Sequence, residues 1–130
     1  MNLENWRQSG NYFDFNGNKI FYRLSEKSDE ILLCLHGFPS ASFDYHKIWD
    51  ELTKQFSVLA FDMIGYGFSA KPSDFDYTTF QQVDVLQALL EHLHIKKIHI
   101  LAHDYGNTII QELLARAEEN RVNFEIKSIC

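Results

Sequence analysis

Ile98-His99-Ile100-Leu101-Ala102-His103-Asp104-Tyr105-Gly106-Asn107-Thr108-Ile109-Ile110 joins a short β-branched run to an amphipathic helical pattern with no spacer between them. The pattern predicts strand, tight turn and helix, with the Asp104 carboxylate at the apex. Ala102 and Gly106 flank the apex at the two positions where bulk would hold strand and helix apart, as in a nucleophile elbow carrying Asp in place of Ser. A carboxylate there lies at the carboxyl end of the strand beside the first N–H groups of the helix, whose dipole favours its ionised form. An ionised, sterically open carboxylate can attack carbon. Asp is also a good helix N-cap, so the turn taken alone leaves both readings open.

Working outward, Asn11 to Phe15 alternates and runs into Asn16-Gly17, the pair best suited to a type I′ turn, followed by a strand at Lys19 to Leu24. Ile31-Leu32-Leu33-Cys34-Leu35-His36 is continuously apolar and bounded by Gly37 and Pro39, the mark of a parallel strand covered on both faces. Asp44 to Lys54 reads as a helix with Tyr45, Ile48, Trp49 and Leu52 as its stripe, and Ser57 to Phe61 as a further buried strand. Phe80, Val83, Leu86, Leu89, Leu90 and Leu93 predict a covering helix over Thr79 to His94. Lys97 to Ala102 is the strand before the elbow. Ile109, Ile110, Leu113, Leu114 and Ala117 form the inner face of the helix after it, and Phe124 to Ile129 reads as one more strand. A hairpin followed by alternating strands and helices makes one α/β domain over residues 1–130, with a mostly parallel sheet.

The net charge of -6 leaves no clustered basic surface for nucleic acid or anionic membrane. Met1 to Gly10 are polar and carry no signal-like apolar core, and no run approaches a membrane span. Cys34 and Cys130 read as reduced thiols, which points to a cytoplasmic setting.

Gly65-Tyr66-Gly67-Phe68-Ser69-Ala70 matches a dinucleotide fingerprint letter for letter, but Lys71-Pro72-Ser73-Asp74 follows where a helix would have to begin. The glycines instead suit a tight loop at the rim of a site. His36-Gly37-Phe38-Pro39 ends a strand on the same sheet edge as Asp104, where ligands of parallel sheets collect. Gly37 lets the backbone turn so that the N–H groups of Phe38 and Tyr105 could form an oxyanion hole, although a plain Gly-Pro turn explains the same letters. His36, Gly37, Pro39 and His103 would line the site. Of the six histidines, His92 and His94 sit at a spacing of two that points them apart, His99 lies within a strand, and neither His36 nor His103 has an acid or Cys at ligand spacing, so neither metal nor cofactor is implied.

With these segments in view, the sequence resembles the α/β-hydrolase fold, in the branch of epoxide hydrolases and haloalkane dehalogenases. The resemblance rests on His36 to Pro39, on Asp62-Met63-Ile64-Gly65-Tyr66-Gly67-Phe68-Ser69-Ala70-Lys71-Pro72, and on Ala102 to Asn107. The elbow text, with Gln111 to Leu114 and Ile126 to Cys130, looks most like the mesoderm-specific-transcript hydrolase group. It implies strand order 1-2-4-3-5-6 and a two-step hydrolysis of a small-molecule substrate. Asp104 would form an alkyl-enzyme ester, which water activated by a His and an acid would cleave. Dehalogenases of this branch usually carry Trp after the nucleophile and Asn after His-Gly. Tyr105 and Phe38 stand there here, which favours an epoxide over a haloalkane. The same resemblance implies an N-terminal part only, cut after the sixth strand, without cap, acid or catalytic His and inactive alone. Its exposed last strand would favour self-association. The rivals are a haloalkane dehalogenase fragment and a non-catalytic binding module of the same fold.

Overall fold

The Asn16-Gly17 turn sets the first strand pairing. Both residues take positive φ, 49° and 87°, and join β1 (Asn11–Phe15) to β2 (Asn18–Leu24) in an antiparallel hairpin. The computed structural model, which describes all 130 residues, continues with β3 (Glu30–Leu35), β4 (Val58–Phe61), β5 (Lys97–Ala102) and β6 (Glu125–Ile129). The six strands lie in the order β1-β2-β4-β3-β5-β6, as the resemblance implies. β2 runs antiparallel to β4, and the pairs β3 with β4, β3 with β5, and β5 with β6 are parallel. β3 beyond Glu30 and all of β4 are buried, because both faces of the sheet are covered there.

Helices α3 (Thr79–His92) and α4 (Tyr105–Glu118) cover one face. Leu33, Leu35, Phe61 and Ile100 from the sheet meet Leu86, Leu89, Ile109 and Leu113 in the larger core. The opposite face packs Phe21, Cys34, Val58 and Ala60 against Trp6, Tyr45 and Trp49. Burial pushes the Cys34 thiol up to about 12, so it stays protonated and acts as a small apolar side chain.

One element has no counterpart in the sequence reading, and two local expectations need correction. Met1 to Gly10 contain a helix, α1 (Leu3–Gln8), which Asn2 caps by accepting from the Asn5 N–H at 2.8 Å. Its only buried residue, Trp6, is fully enclosed, donates its indole N–H to Ser42 Oγ at 3.1 Å and meets Trp49 edge-on. The stretch predicted as one helix over Asp44 to Lys54 is a 3₁₀ turn over Ser42–Lys47 followed by α2 (Trp49–Thr53). The Tyr45 hydroxyl donates to the carbonyls of Leu35 and Leu101 and anchors the tighter turn, and Ile48, at the joint, faces outward. Phe80 and Leu114 also lie outside the core. Arg116 lies inside it, bonded to Asp84 at 2.7 Å and Glu112 at 2.9 Å between α3 and α4.

Candidate active site

β5 ends at Ala102 and α4 begins at Tyr105, which leaves Asp104 at the turn with φ 53° and ψ -124°. A residue with a Cβ adopts this backbone only when its surroundings impose it. Here α4 sits so close to the sheet that a Cβ on Gly106 would fall 2.9 Å from the Leu35 carbonyl oxygen and 3.1 Å from that of His36. Asp104 makes no side-chain capping bond to α4, and its backbone carbonyl accepts from the Asn107 N–H instead. The carboxylate is therefore free of the ordinary N-cap duty.

It faces the loop after β3. The Phe38 N–H donates to Asp104 Oδ1 at 2.9 Å. That bond, then the Tyr105 N–H, then the charge of His103 hold the carboxyl below the usual carboxylate range. Gly37 makes the approach possible, since a Cβ there would lie 2.7 Å from Asp104 Cβ and 3.1 Å from His103 Cε1. The arrangement provides an ionised, solvent-accessible carboxylate whose Oδ1 accepts from the Phe38 N–H.

Two buried side chains fix the loops around it. His36 Nε2 accepts from the Met63 N–H at 3.0 Å, so Nδ1 carries the proton and donates to the Gly37 carbonyl at 2.8 Å. Burial holds the ring below its ordinary value, with the nearby carboxylates of Asp62 and Asp44 opposing. Asp62 accepts from the Ser42 N–H and the Phe68 N–H, both at 2.7 Å, and its carbonyl accepts from Ser69 Oγ. The loop from Met63 to Tyr77 is thereby pinned against the 3₁₀ turn. No helix begins in it before Thr79, so the context a dinucleotide fingerprint needs is not there.

Against Phe38 and Tyr105 opens a hollow of about 490 Å³, walled by these two with Pro39, Tyr66, Tyr77 and Gln82 among others. Asp104, Phe38 and Tyr105 thus come together as one group, and Pro39 lines the hollow. His36 differs from expectation: it is wholly buried and supports the wall from behind. His103 is exposed and turned to Asp44, with Nε2 3.6 Å from Oδ2, and Ser40 Oγ donates to the same Asp44 oxygen. Sequence reasoning passed over Asp44, Asp62, Tyr66 and Gln82 as site residues. A carboxylate closing a buried strand just before Gly-x-Gly was the available signal for Asp62. Nothing local marked the other three.

A family model described as alpha/beta hydrolase fold matches residues 30–123. The chain belongs to the alpha/beta hydrolase fold family. Among its relatives, the mesoderm-specific transcript homolog protein of Bos taurus is 45% identical over 135 residues, which cover 98% of this chain and 40% of that protein. This hydrolase-fold chain therefore spans about 40% of the length of the mesoderm-specific transcript relatives it matches. A solved loop variant of the haloalkane dehalogenase DbeA from Bradyrhizobium elkanii superposes with a TM-score of 0.77 at 30% identity, over 92% of this chain and 39% of that one. The epoxide hydrolase CorEH superposes with a TM-score of 0.76 at 24% identity over 92% and 42%, a likeness of fold.

Proposed function

We propose that Asp104 is the nucleophile of an epoxide-hydrolase-type reaction. The observation that carries the reading is the Phe38 N–H on Oδ1 of a carboxylate that caps no helix. With Oδ1 held, Oδ2 is the attacking atom. It forms a bond to an epoxide carbon, the ring C–O bond breaks, and its electron pair goes to the ring oxygen, which takes a proton from water. In the second step water adds to the ester carbonyl, and the negative charge collects on Oδ1 opposite the Phe38 and Tyr105 N–H groups. Collapse restores the carboxylate and releases a diol.

The second step needs a base. The resemblance puts the water-activating His and its acid in parts of the relatives that these 130 residues do not match, so this chain forms the ester and turns over little or not at all. A small-molecule substrate with an electrophilic carbon suits the modest, aromatic-walled hollow. A haloalkane suits it less, because Phe38 and Tyr105 replace the Asn and Trp that donate to a leaving halide.

The test is intact-mass analysis after incubation with a reactive epoxide. One adduct per chain, mapped to Asp104 and absent in Asp104→Asn, supports the reading. No adduct on a folded chain favours the non-catalytic binding module. Steady turnover abolished by His103→Gln would place the base on the His103–Asp44 pair instead.

A further inference from the structure

Nearer the amino ends of the parallel strands lies a second set of groups that the reaction at Asp104 does not use. Glu30 opens β3, His99 stands third on β5, and Ser128 on β6 is the register partner of His99. Glu30 is two residues before Leu32, which pairs with His99, so the pleat puts both on one face of the sheet. A carboxylate only accepts, so His99 Nε2 carries the ring proton and donates to Glu30 Oε1 at 3.0 Å. Nδ1 is then the acceptor, and the Ser128 hydroxyl donates to it at 2.8 Å. The lone pair of a neutral imidazole thus points at a hydroxyl hydrogen, with a carboxylate behind the ring. The His99 bond above all, with the charges of Lys97, His99 and Lys127, holds the Glu30 carboxyl low against desolvation. It stays ionised and can steady a ring that takes a second proton.

A staple across three strands needs the same bonds, but not what surrounds them. The group is open to solvent: Ser128 is exposed, and the side chains of His99 and Glu30 keep 26% and 45% of their surface. The N–H after Ser128 is free of the sheet. Cys130 N–H bonds inward to the Ile100 carbonyl and β6 has no neighbour but β5, so by alternation the Ile129 N–H looks outward. A backbone donor next after the nucleophile is one that acyl-transfer sites use to receive an oxyanion. Beside the ring lies a hollow of about 350 Å³ that Glu30 and His99 line with Ile31, Gln55 and Phe56 among others. The Phe56 and His99 rings are 6.1 Å apart, and an aryl group packs well against such a pair.

We infer that Ser128, His99 and Glu30 form a second, acyl-transfer site for aryl esters of short acids, independent of Asp104. Ser128 Oγ bonds to the ester carbonyl carbon while its proton passes to His99 Nδ1, and the carbonyl electron pair moves to the oxygen, with the Ile129 N–H as donor. The bond to the aryl oxygen then breaks, and the phenolate leaves with that pair and takes the proton from Nδ1. Water gives a proton to the same nitrogen and adds to the acyl-Ser128 carbonyl. Collapse returns the proton to Ser128 Oγ and releases the acid. Glu30 is a positioning residue that holds the ring and its charge.

The test uses 4-nitrophenyl acetate, with nitrophenolate release read by absorbance and the acetyl group located by mass spectrometry after acid quench. The label is expected on Ser128, with release at least about tenfold above that of Ser128→Ala and His99→Gln, both of which fall to the same residual rate. Release that Ser128→Ala leaves unchanged, or that His99→Gln leaves in place, overturns the inference. Should His99→Gln fail to fold, the pH profile of the Ser128-dependent release decides. It levels off once the imidazole has lost its proton, whereas an unassisted hydroxyl goes on gaining about tenfold per pH unit, and such an unbroken rise overturns the inference. Glu30→Gln keeps an acceptor for Nε2–H without the charge, so the level should begin at lower pH. An unmoved onset overturns the role given to Glu30.

Discussion

The amide of Phe38 and the carboxylate of Asp104 lie 2.9 Å apart although 66 positions separate them in the chain. β3 and β5 are adjacent and parallel, with Leu35 level with Ala102, so the loops that leave their carboxyl ends meet. Gly37 is the joint on which that meeting depends. Gly37→Ala puts a methyl 2.7 Å from Asp104 Cβ, closer than such atoms come, and must separate the two loops. We expect the variant to fold and to form the epoxide adduct at least tenfold more slowly. Intact-mass time courses of both proteins read the ratio directly.

The pH dependence of adduct formation follows from the same contact. Two N–H groups hold the Asp104 carboxyl below its ordinary value near 3.8, so it is ionised throughout the neutral and mildly acidic range. Its rate is expected to be level from about pH 8 down to about pH 5, without the fall that a raised carboxyl pKa would produce.

Stability should respond to pH through His36. Burial lowers its folded pKa, whereas the unfolded ring takes a proton near the ordinary 6.5. Below that value the unfolded chain binds the proton and the folded chain resists it, so stability falls as pH falls from about 6.5 toward the folded value. Denaturant midpoints between about pH 7.5 and 5 are expected to slope downward. His36→Asn, which keeps a donor but does not titrate, should be less stable at neutral pH and show a shallower slope.

Trp6→Ala should be among the most damaging single changes on the second face of the sheet. Trp6 is fully enclosed, stacks edge-on with Trp49 and lies under the Arg23 guanidinium, 4.4 Å from its ring. Loss of about 3–5 kcal/mol is expected from equilibrium unfolding. Tyr12→Ala, nearer the surface, should cost far less.

β6 pairs with β5 alone, and Ile129 on it is exposed. Cys130 bonds inward to Ile100 and Ala102, so by alternation the backbone of Ile129 faces the open side. Such an edge invites another strand. Sedimentation of this chain is expected to show concentration-dependent association that Ile129→Pro reduces, since proline removes an outward donor. A monodisperse monomer at high concentration would contradict this.

Much of this was legible in the sequence because it is local. Asn16-Gly17 specifies its own turn, the run Ile31 to Leu35 specifies a doubly covered strand, and small-x-Asp-x-small specifies a tight junction. Strand order came through resemblance. What escaped depends on contacts between distant segments. Trp6 is one apolar residue among polar neighbours, and only Ser42, Arg23 and Trp49 make it core. Arg116 reads as a surface charge until Asp84, on another helix, is known to receive it. Gln82 falls within a helical stripe of apolar neighbours, and its unpaired oxygen exists only once Ile64 has claimed the nitrogen.

Asp62 links Trp6 to the Gly65–Phe68 loop beside the hollow: the indole N–H reaches Ser42 Oγ, the Ser42 amide reaches Oδ1, and Oδ2 holds the Phe68 amide. Tampering with the first nine residues therefore propagates to a wall built sixty positions downstream.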